Sequence, residues 1–421
     1  MDTAVLRAEV RAQLAQIGQA DIVIGIPSYN SARTIGHVVR AVQAGLAKYF
    51  PEHKAVIVNA DGGSTDGTMD VVRQSSVEDY KPIMLRERVE PIAKLAFPYS
   101  GIPGKGSAFR AVFEIARTLD AKACAVVDSD LRSITPEWIE LLVKPVLEGG
   151  FDYVSPLYHR HKFDGTITNS IVYPLTRALY GKRVRQPIGG DFGFSGKLAQ
   201  FYLSQDVWQS DVARFGIDIW MTTTALANDF KVAQSFLGAK IHDAKDPGAD
   251  LSDMLYQVVS ATFDLMERYP NVWMPIHGSE PVPTFGFEYT VGLEHINVDT
   301  SRMLHVFREA SRNLGDMWLE ILGNGDLREV ERLASSDDES FRFPPGLWTR
   351  VIYDYAIAFH RQKMSAAHLI RSLVPLYIGK TASFVIEAQD MDQAEAEAEI
   401  EKLCKEFENE KDYLTTHWRQ P

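Results

Sequence analysis

At 421 residues, with 45% hydrophobic and 24% charged residues, the chain has the make-up of an ordinary globular protein with material for two or three domains. A formal charge of -12 excludes general nucleic-acid binding, which depends on surplus Lys and Arg. Cys124 and Cys404 are the only cysteines, which excludes a disulfide framework and fits a reducing compartment. No run reaches the roughly 20 apolar residues of a membrane span, so the expectation is a cytoplasmic enzyme acting on small molecules.

In chain order, Ile22 to Ile26 reads as a compact strand, followed by Pro27-Ser-Tyr-Asn30 and a helix with apolar positions Ile35, Val38, Val39, Val42 and Leu46. A second strand, Ala55 to Val58, runs into the polar turn Asn59-Ala-Asp61-Gly-Gly-Ser-Thr-Asp66-Gly-Thr, with a helix expected from near Met69. A third unit has the loop Pro103-Gly-Lys-Gly106, a helix carrying Phe109, Val112, Phe113 and Ala116, and a strand Ala123 to Val127. This alternation predicts a mainly parallel α/β sheet flanked by helices. From about residue 150 shorter strands such as Tyr153-Val-Ser-Pro mix with helices near 169–180 and 217–228, and Val232 to Gly238 reads as another strand. Beyond 250 a helical signal dominates, in the stripe Leu255, Val258, Val259, Thr262, Phe263 and again at Val351 to Phe359. The Glu-rich stretch from Asp390 to Lys411 reads as a solvated surface helix. Residues 275–288, with three prolines, read as a connection.

The strongest chemical signal is Asp128-Ser129-Asp130 after the apolar Cys124-Ala-Val-Val127. Two carboxylates one residue apart at the end of a buried strand suit a divalent cation at the sheet's C-terminal edge. Lys105 between glycines adds a cation and backbone room for a diphosphate bridged to Mg²⁺ or Mn²⁺, although a solvated loop lysine is the ordinary alternative. Asp61 is placed to accept from a base, with an Asx-turn as its structural alternative; for Asp66 the turn or cap is the preferred reading. His242, in Ala-Lys-Ile-His, is a candidate third metal ligand or a structural histidine. Gly189-Gly190 in Gln186-Pro-Ile-Gly-Gly190-Asp191 lets main chain approach a sugar or simply makes a turn. Asp218 in Phe215-Gly-Ile-Asp218 is either a hydroxyl acceptor or a helix-dipole partner.

Taken together and in this order, these motifs resemble the retaining GT-A glycosyltransferases, and within them are similar to mannosylglycerate synthase and the glucosyl- or mannosyl-3-phosphoglycerate synthases. The resemblance implies a GT-A type, Rossmann-like catalytic domain over residues 1–255, with its nucleotide-sugar half at 20–130 and its acceptor half at 150–255, and a mostly helical domain over 256–421. It implies donor binding by Pro27, Tyr29, Asn30, Asp61, Gly104, Lys105, Asp128, Ser129, Gly189 and Gly190. It implies a Mg²⁺ or Mn²⁺ held by Asp130 and His242 with Asp128 nearby, catalytic roles for Asp130, Lys105 and Asp218, and acceptor binding by Arg160, Asp164, Ile167, Thr168 and Asp218.

The implied activity is metal-dependent, retaining transfer of mannose or glucose from a nucleoside diphosphate sugar to D-glycerate or a similar small hydroxy acid, as in compatible-solute synthesis. Phosphoglycerate-using relatives carry a Gly-Gly-Arg-type stretch where this chain has Thr166-Ile-Thr168, a departure that favours an unphosphorylated acid, with Arg160, Lys162 and Lys245 as further sources of charge. Asn30-Ser-Ala replaces the usual Asn-Glu-Glu and leaves the donor base open among GDP, UDP and ADP. The rival readings are a 3-phosphoglycerate synthase, an inverting polysaccharide transferase and a non-catalytic nucleotide-sugar sensor. A homodimer or higher homo-oligomer is expected of a helical tail of this size, with no nucleic-acid or membrane partner.

Overall fold

The computed structural model describes residues 5–75, 92–100, 104–214, 216–241, 252–288, 296 and 298–420. Its chain forms two compact units, one of residues 1–159, 188–244 and 282–291, the other of 160–187, 245–281 and 292–421. Residues 160–187 thus cluster with the helices of the second unit.

The first unit is built on strands β1 (Ile22–Ser28), β2 (Ala55–Asp61), β3 (Ile92–Pro98), β4 (Ala123–Val126) and β5 (Tyr153–His159). The second unit contributes only the short β6 (Lys182–Arg183), and the first resumes with β7 (Phe192–Ser195) and β8 (Val232–Ala239). The two-residue β9 (Glu280–Pro281) pairs with β6, whereas β10 (Thr284–Phe285) joins the large sheet. That sheet has the order β10-β8-β5-β7-β4-β1-β2-β3. Every neighbouring pair in it is parallel except those made by β7, which runs against β4 and β5.

β1 and β2 are buried along their whole length, as expected of parallel strands covered on both faces. Helices Ile35–Tyr49 and Pro136–Leu147 cover one face, where Val38, Val42, Ile139 and Leu142 pack against Ile22, Ile24 and Ile57. The apolar intervals in the sequence account for Ile35–Tyr49, Thr68–Gln74 and Lys105–Thr118. β3 and β7 went unnoticed because neither carries a long β-branched run; β7 is Phe-Gly-Phe-Ser.

The direction of β7 matters for function. Since it alone is reversed, its first residues lie at the same edge as the last residues of β1, β2, β4, β5 and β8. The register Val126↔Phe192 brings the residues after β4 alongside those before β7.

The second unit is helical, and three expectations change there. Helix Gln393–Asn409 buries Ala396, Ile400, Leu403, Cys404 and Phe407, so it is a packed helix with one wet face. Helix Ala366–Glu387 is long and apolar enough to cross a membrane by length and composition, contrary to the reading of the sequence. However, 67% of its apolar window is buried inside the protein, and Lys380 within it donates to the Phe343 carbonyl at 3.2 Å. The expected connection at 275–288 supplies β9 to one small sheet and β10 to the large one. Both cysteines are free and buried.

Candidate active site

The Asp-Ser-Asp triplet leaves β4 with its middle residue turned inward. Ser129 is buried, its hydroxyl 2.8 Å from that of Ser31, and its carbonyl accepts from Thr34 Oγ1 at 2.8 Å. Alternation then directs Asp128 and Asp130 to the other side. Asp130 is half-buried and makes no hydrogen bond or ion pair among the described residues.

Asp128 is fully engaged. Its Oδ1 lies 2.9 Å from Lys105 Nζ and its Oδ2 2.7 Å from Lys240 Nζ, while its backbone N-H donates to Asp191 Oδ1 at 2.8 Å. Lys240 also reaches Asp191 Oδ2 at 2.7 Å and the Gly189 carbonyl at 2.8 Å, and Tyr158 donates to the same Asp191 oxygen. At the other end Lys105 pairs with Asp218 Oδ2 at 3.2 Å, leaving Asp218 Oδ1 buried without a partner. Five charges therefore alternate in one chain, Asp191, Lys240, Asp128, Lys105 and Asp218, with three carboxylates against two ammonium groups.

The electrostatics follow from that order. Burial alone would lower Lys105, yet Asp128 and Asp218 hold its ammonium above the ordinary value. Burial would raise Asp128, but Lys105 and Lys240 outweigh it and keep the carboxyl ionised. Asp218 is raised by burial, with the Asp128 charge adding to the effect and Lys105 opposing it. Asp191 is raised by burial in the same way, against the pull of Lys240.

The glycines around this cluster serve the protein's own packing. A Cβ on Gly190, whose φ is 89°, would stand 2.3 Å from Asp128 Oδ2, so only glycine lets the loop before β7 close over the carboxylate. A Cβ on Gly104 would meet the Ala213 carbonyl at 2.6 Å and one on Gly106 the Val212 carbonyl at 2.0 Å. The room beside Lys105, expected for a diphosphate, is filled there by segment 212–214, and Gly106 N-H donates to the Arg214 carbonyl at 3.1 Å.

Asp61 accepts from Gly63 N-H (2.9 Å) and Ser64 N-H (2.7 Å) on one oxygen and from Ser28 and Ser64 hydroxyls (2.8 and 2.7 Å) on the other. Its turn is thus an Asx-type structure held by four bonds. Asp66 accepts from Thr68 N-H at 3.1 Å and Ala32 N-H at 3.0 Å, the capping part expected of it. Asn30, at φ 48°, accepts from Thr65 N-H at 3.0 Å and ties the loop after β1 to the loop after β2. Pro27 is the buried next-to-last residue of β1, and Tyr29 beyond its end is 66% exposed, an open aromatic face at the sheet edge.

The remaining expected residues divide. Arg160, Asp164, Ile167 and Thr168 belong to the second unit. There Arg160 pairs with Asp164 at 3.4 Å, Ile167 is buried, and Thr168 opens a π-helical turn, Thr168–Val172. Lys162 is spent on the carbonyls of Ala388, Gln389 and Met391 at 2.7 to 2.9 Å, closing the end of helix Ala366–Glu387, and is not a free cation for an acceptor. His242 and Lys245 lie outside the described residues. Among the described residues no three metal-ligating side chains converge.

Residues 23–207 match the family described as Glycosyl transferase family 2. This part of the chain is a glycosyltransferase domain. The match includes Asp61, Lys105, Asp128, Asp130 and Asp191, and stops short of Asp218 and Lys240. A comparison with curated proteins returns no match. Among solved structures, the chain is similar to glucosyl-3-phosphoglycerate synthase from Mycobacterium tuberculosis in complex with Mg²⁺ and uridine diphosphate, at 20% identity over 61% of this chain and 83% of that one, TM-score 0.44. The complex of that protein with Mn²⁺, uridine diphosphate and glucosyl-3-phosphoglycerate gives 19% identity, 67% and 92% coverage and TM-score 0.44. Likenesses of this size carry no argument about what the present glycosyltransferase domain binds.

Lys240 and Asp191 were not singled out from the sequence, although both stood in motifs that were, Ala-Lys240-Ile-His242 and Gly-Gly-Asp191. A lysine ending a buried strand and an aspartate opening another are the usable signals, because neither charge can stay there unpaired.

Proposed function

We propose that the protein is a hexosyltransferase that moves mannose or glucose from a nucleoside diphosphate sugar to the 2-hydroxyl of D-glycerate or a similar small hydroxy acid, with retention of configuration. The observation that supports this most is the Asp218-Lys105-Asp128 chain beside the unengaged carboxylate of Asp130, at the sheet edge where α/β folds take their ligands. Three carboxylates against two ammonium groups leave the cluster negative before Asp130 is counted, so an anionic diphosphate needs a cation with it. Asp130 offers the hard oxygen that Mg²⁺ or Mn²⁺ prefers, and His242 is its expected co-ligand. When bound, the ion neutralises charge on the leaving diphosphate.

In this reading Lys105 donates to an oxygen of the departing phosphate, whose charge grows as the bond from C1 of the sugar to the phosphate oxygen breaks. A new bond forms between C1 and the acceptor hydroxyl oxygen, and the hydroxyl proton passes to the departing phosphate oxygen. Asp218 positions a hydroxyl through the oxygen that has no protein partner. Arg160 and Thr168, with Asp164 and Ile167, are taken from the family resemblance as acceptor residues, and Tyr29 as a surface for the donor base.

The test is product formation with Mn²⁺, a panel of GDP, UDP and ADP sugars, and glycerate and 3-phosphoglycerate in parallel. A glycoside of glycerate with the donor's anomeric configuration supports the reading. Turnover with 3-phosphoglycerate alone transfers it to the phosphoglycerate synthases, and binding of a sugar nucleotide with neither transfer nor hydrolysis makes the protein a sensor. Asp130→Ala is expected to abolish transfer; full activity in that variant overturns the scheme.

A further inference from the structure

The geometry points to Lys240 as a positioning residue that holds Asp128 on Lys105 and away from the divalent cation, so that the cation binds well only together with the donor diphosphate. This rests on the donor site proposed above, and it concerns residues that the proposed chemistry does not use.

Lys240 Nζ has three acceptors, Asp128 Oδ2, Asp191 Oδ2 and the Gly189 carbonyl, which account for its three protons. Its side chain is 4% exposed and that of Asp191 is fully buried. Asp191 is fixed in turn by the Asp128 N-H and the Tyr158 hydroxyl. This immobile ammonium occupies the one Asp128 oxygen that Lys105 does not, while Asp130, two residues on, has no such partner. Of two carboxylates equally suited by type to a metal, one is withheld. A cation arriving alone finds a single aspartate and two ammonium charges nearby; a cation arriving with a diphosphate brings the ligand oxygens and negative charge that the site lacks.

The test is Mn²⁺ binding by the full chain, read by electron paramagnetic resonance of free Mn²⁺, without sugar nucleotide and then with a nucleoside diphosphate. Wild type and Lys240→Arg should bind Mn²⁺ alone weakly and gain at least about tenfold when the nucleotide is present. Lys240→Met frees the Asp128 oxygen and should bind Mn²⁺ alone about tenfold more tightly, with most of the nucleotide's enhancement lost. The variant with both Lys240→Met and Asp191→Asn removes a matched pair of charges, guards against misfolding from a stranded buried acid, and should shift in the same direction. Unchanged Mn²⁺ affinity and enhancement in that folded double variant overturns the proposal and leaves Lys240 a structural ion-pair partner. Since the titration needs no turnover, it stands or falls separately from the transfer reaction.

Discussion

Both units bury charged side chains, and they do so differently. In the helical unit Arg177, with no exposed side-chain surface, meets Glu401 at 2.5 Å and Glu408 at 2.7 Å, and Arg185 meets Glu397 at 2.6 Å. These residues sit within helices or beside them, and the pairs lock Gln393–Asn409 to its neighbours. In the sheet unit the buried charges stand on loops at strand ends, where they form one chain that ends on an open carboxylate oxygen of Asp218. Burial of charge therefore does not mark the site. Convergence from separate strand ends, with a carboxylate left unengaged, does.

The comparison breaks most directly at its two cations. Arg177→Met strands two glutamates and should cost about 3–5 kcal/mol of stability, read as a lower urea midpoint. Lys105→Met should cut kcat by about 10²–10³-fold in a transfer assay, the scale of one lost donor to developing charge. Normal kcat in that variant would reduce the sheet cluster to the same structural standing as the helical pairs.

A third test uses pH. Burial, together with the nearby Asp326 charge and against the Tyr413 hydrogen bond, pushes Asp354 up to about 7. Its Oδ1 accepts from Tyr413 at 2.5 Å and its Oδ2 has no partner. An acid raised in the folded state binds its proton there first, so its stabilising contribution is complete below about pH 4 and is lost as pH rises through about 7. Asp354→Asn should flatten that slope, by up to about 4 kcal/mol, in denaturation midpoints measured from pH 4 to 7. The smallest effect is expected at Ser129→Ala, which removes the hydroxyl contact to Ser31 and should cost about 1 kcal/mol in the same measurement.

Much of the first unit could be read in advance. Intervals of three and four in Ile35 to Leu46 give the helix, and the apolar run before Asp128 gives a buried strand with polar residues forced to its tip. β7 escaped that reading because four residues, one of them glycine, carry too little pattern, and its reversal is what sets Asp191 beside Asp128. Gly104 and Gly106 were read as space for a ligand because close approach of backbone looks alike in sequence whether the visitor is a phosphate or, as here, residues 212–214. Gln393–Asn409 was read as solvated because its glutamates outnumber its apolar residues, yet three of them meet arginines.

Local order along the chain was enough to determine the alternation of strands and helices, the Asx turn at Asp61 and the exit of Asp128 and Asp130 at a strand's end. Those depend on periodicity and on bonds between near neighbours. Which lysine meets which carboxylate was decided only in three dimensions, since Lys105, Asp128, Asp191, Asp218 and Lys240 come from positions up to 135 apart. Their pairing depends on strand order and direction, which arise from long-range packing.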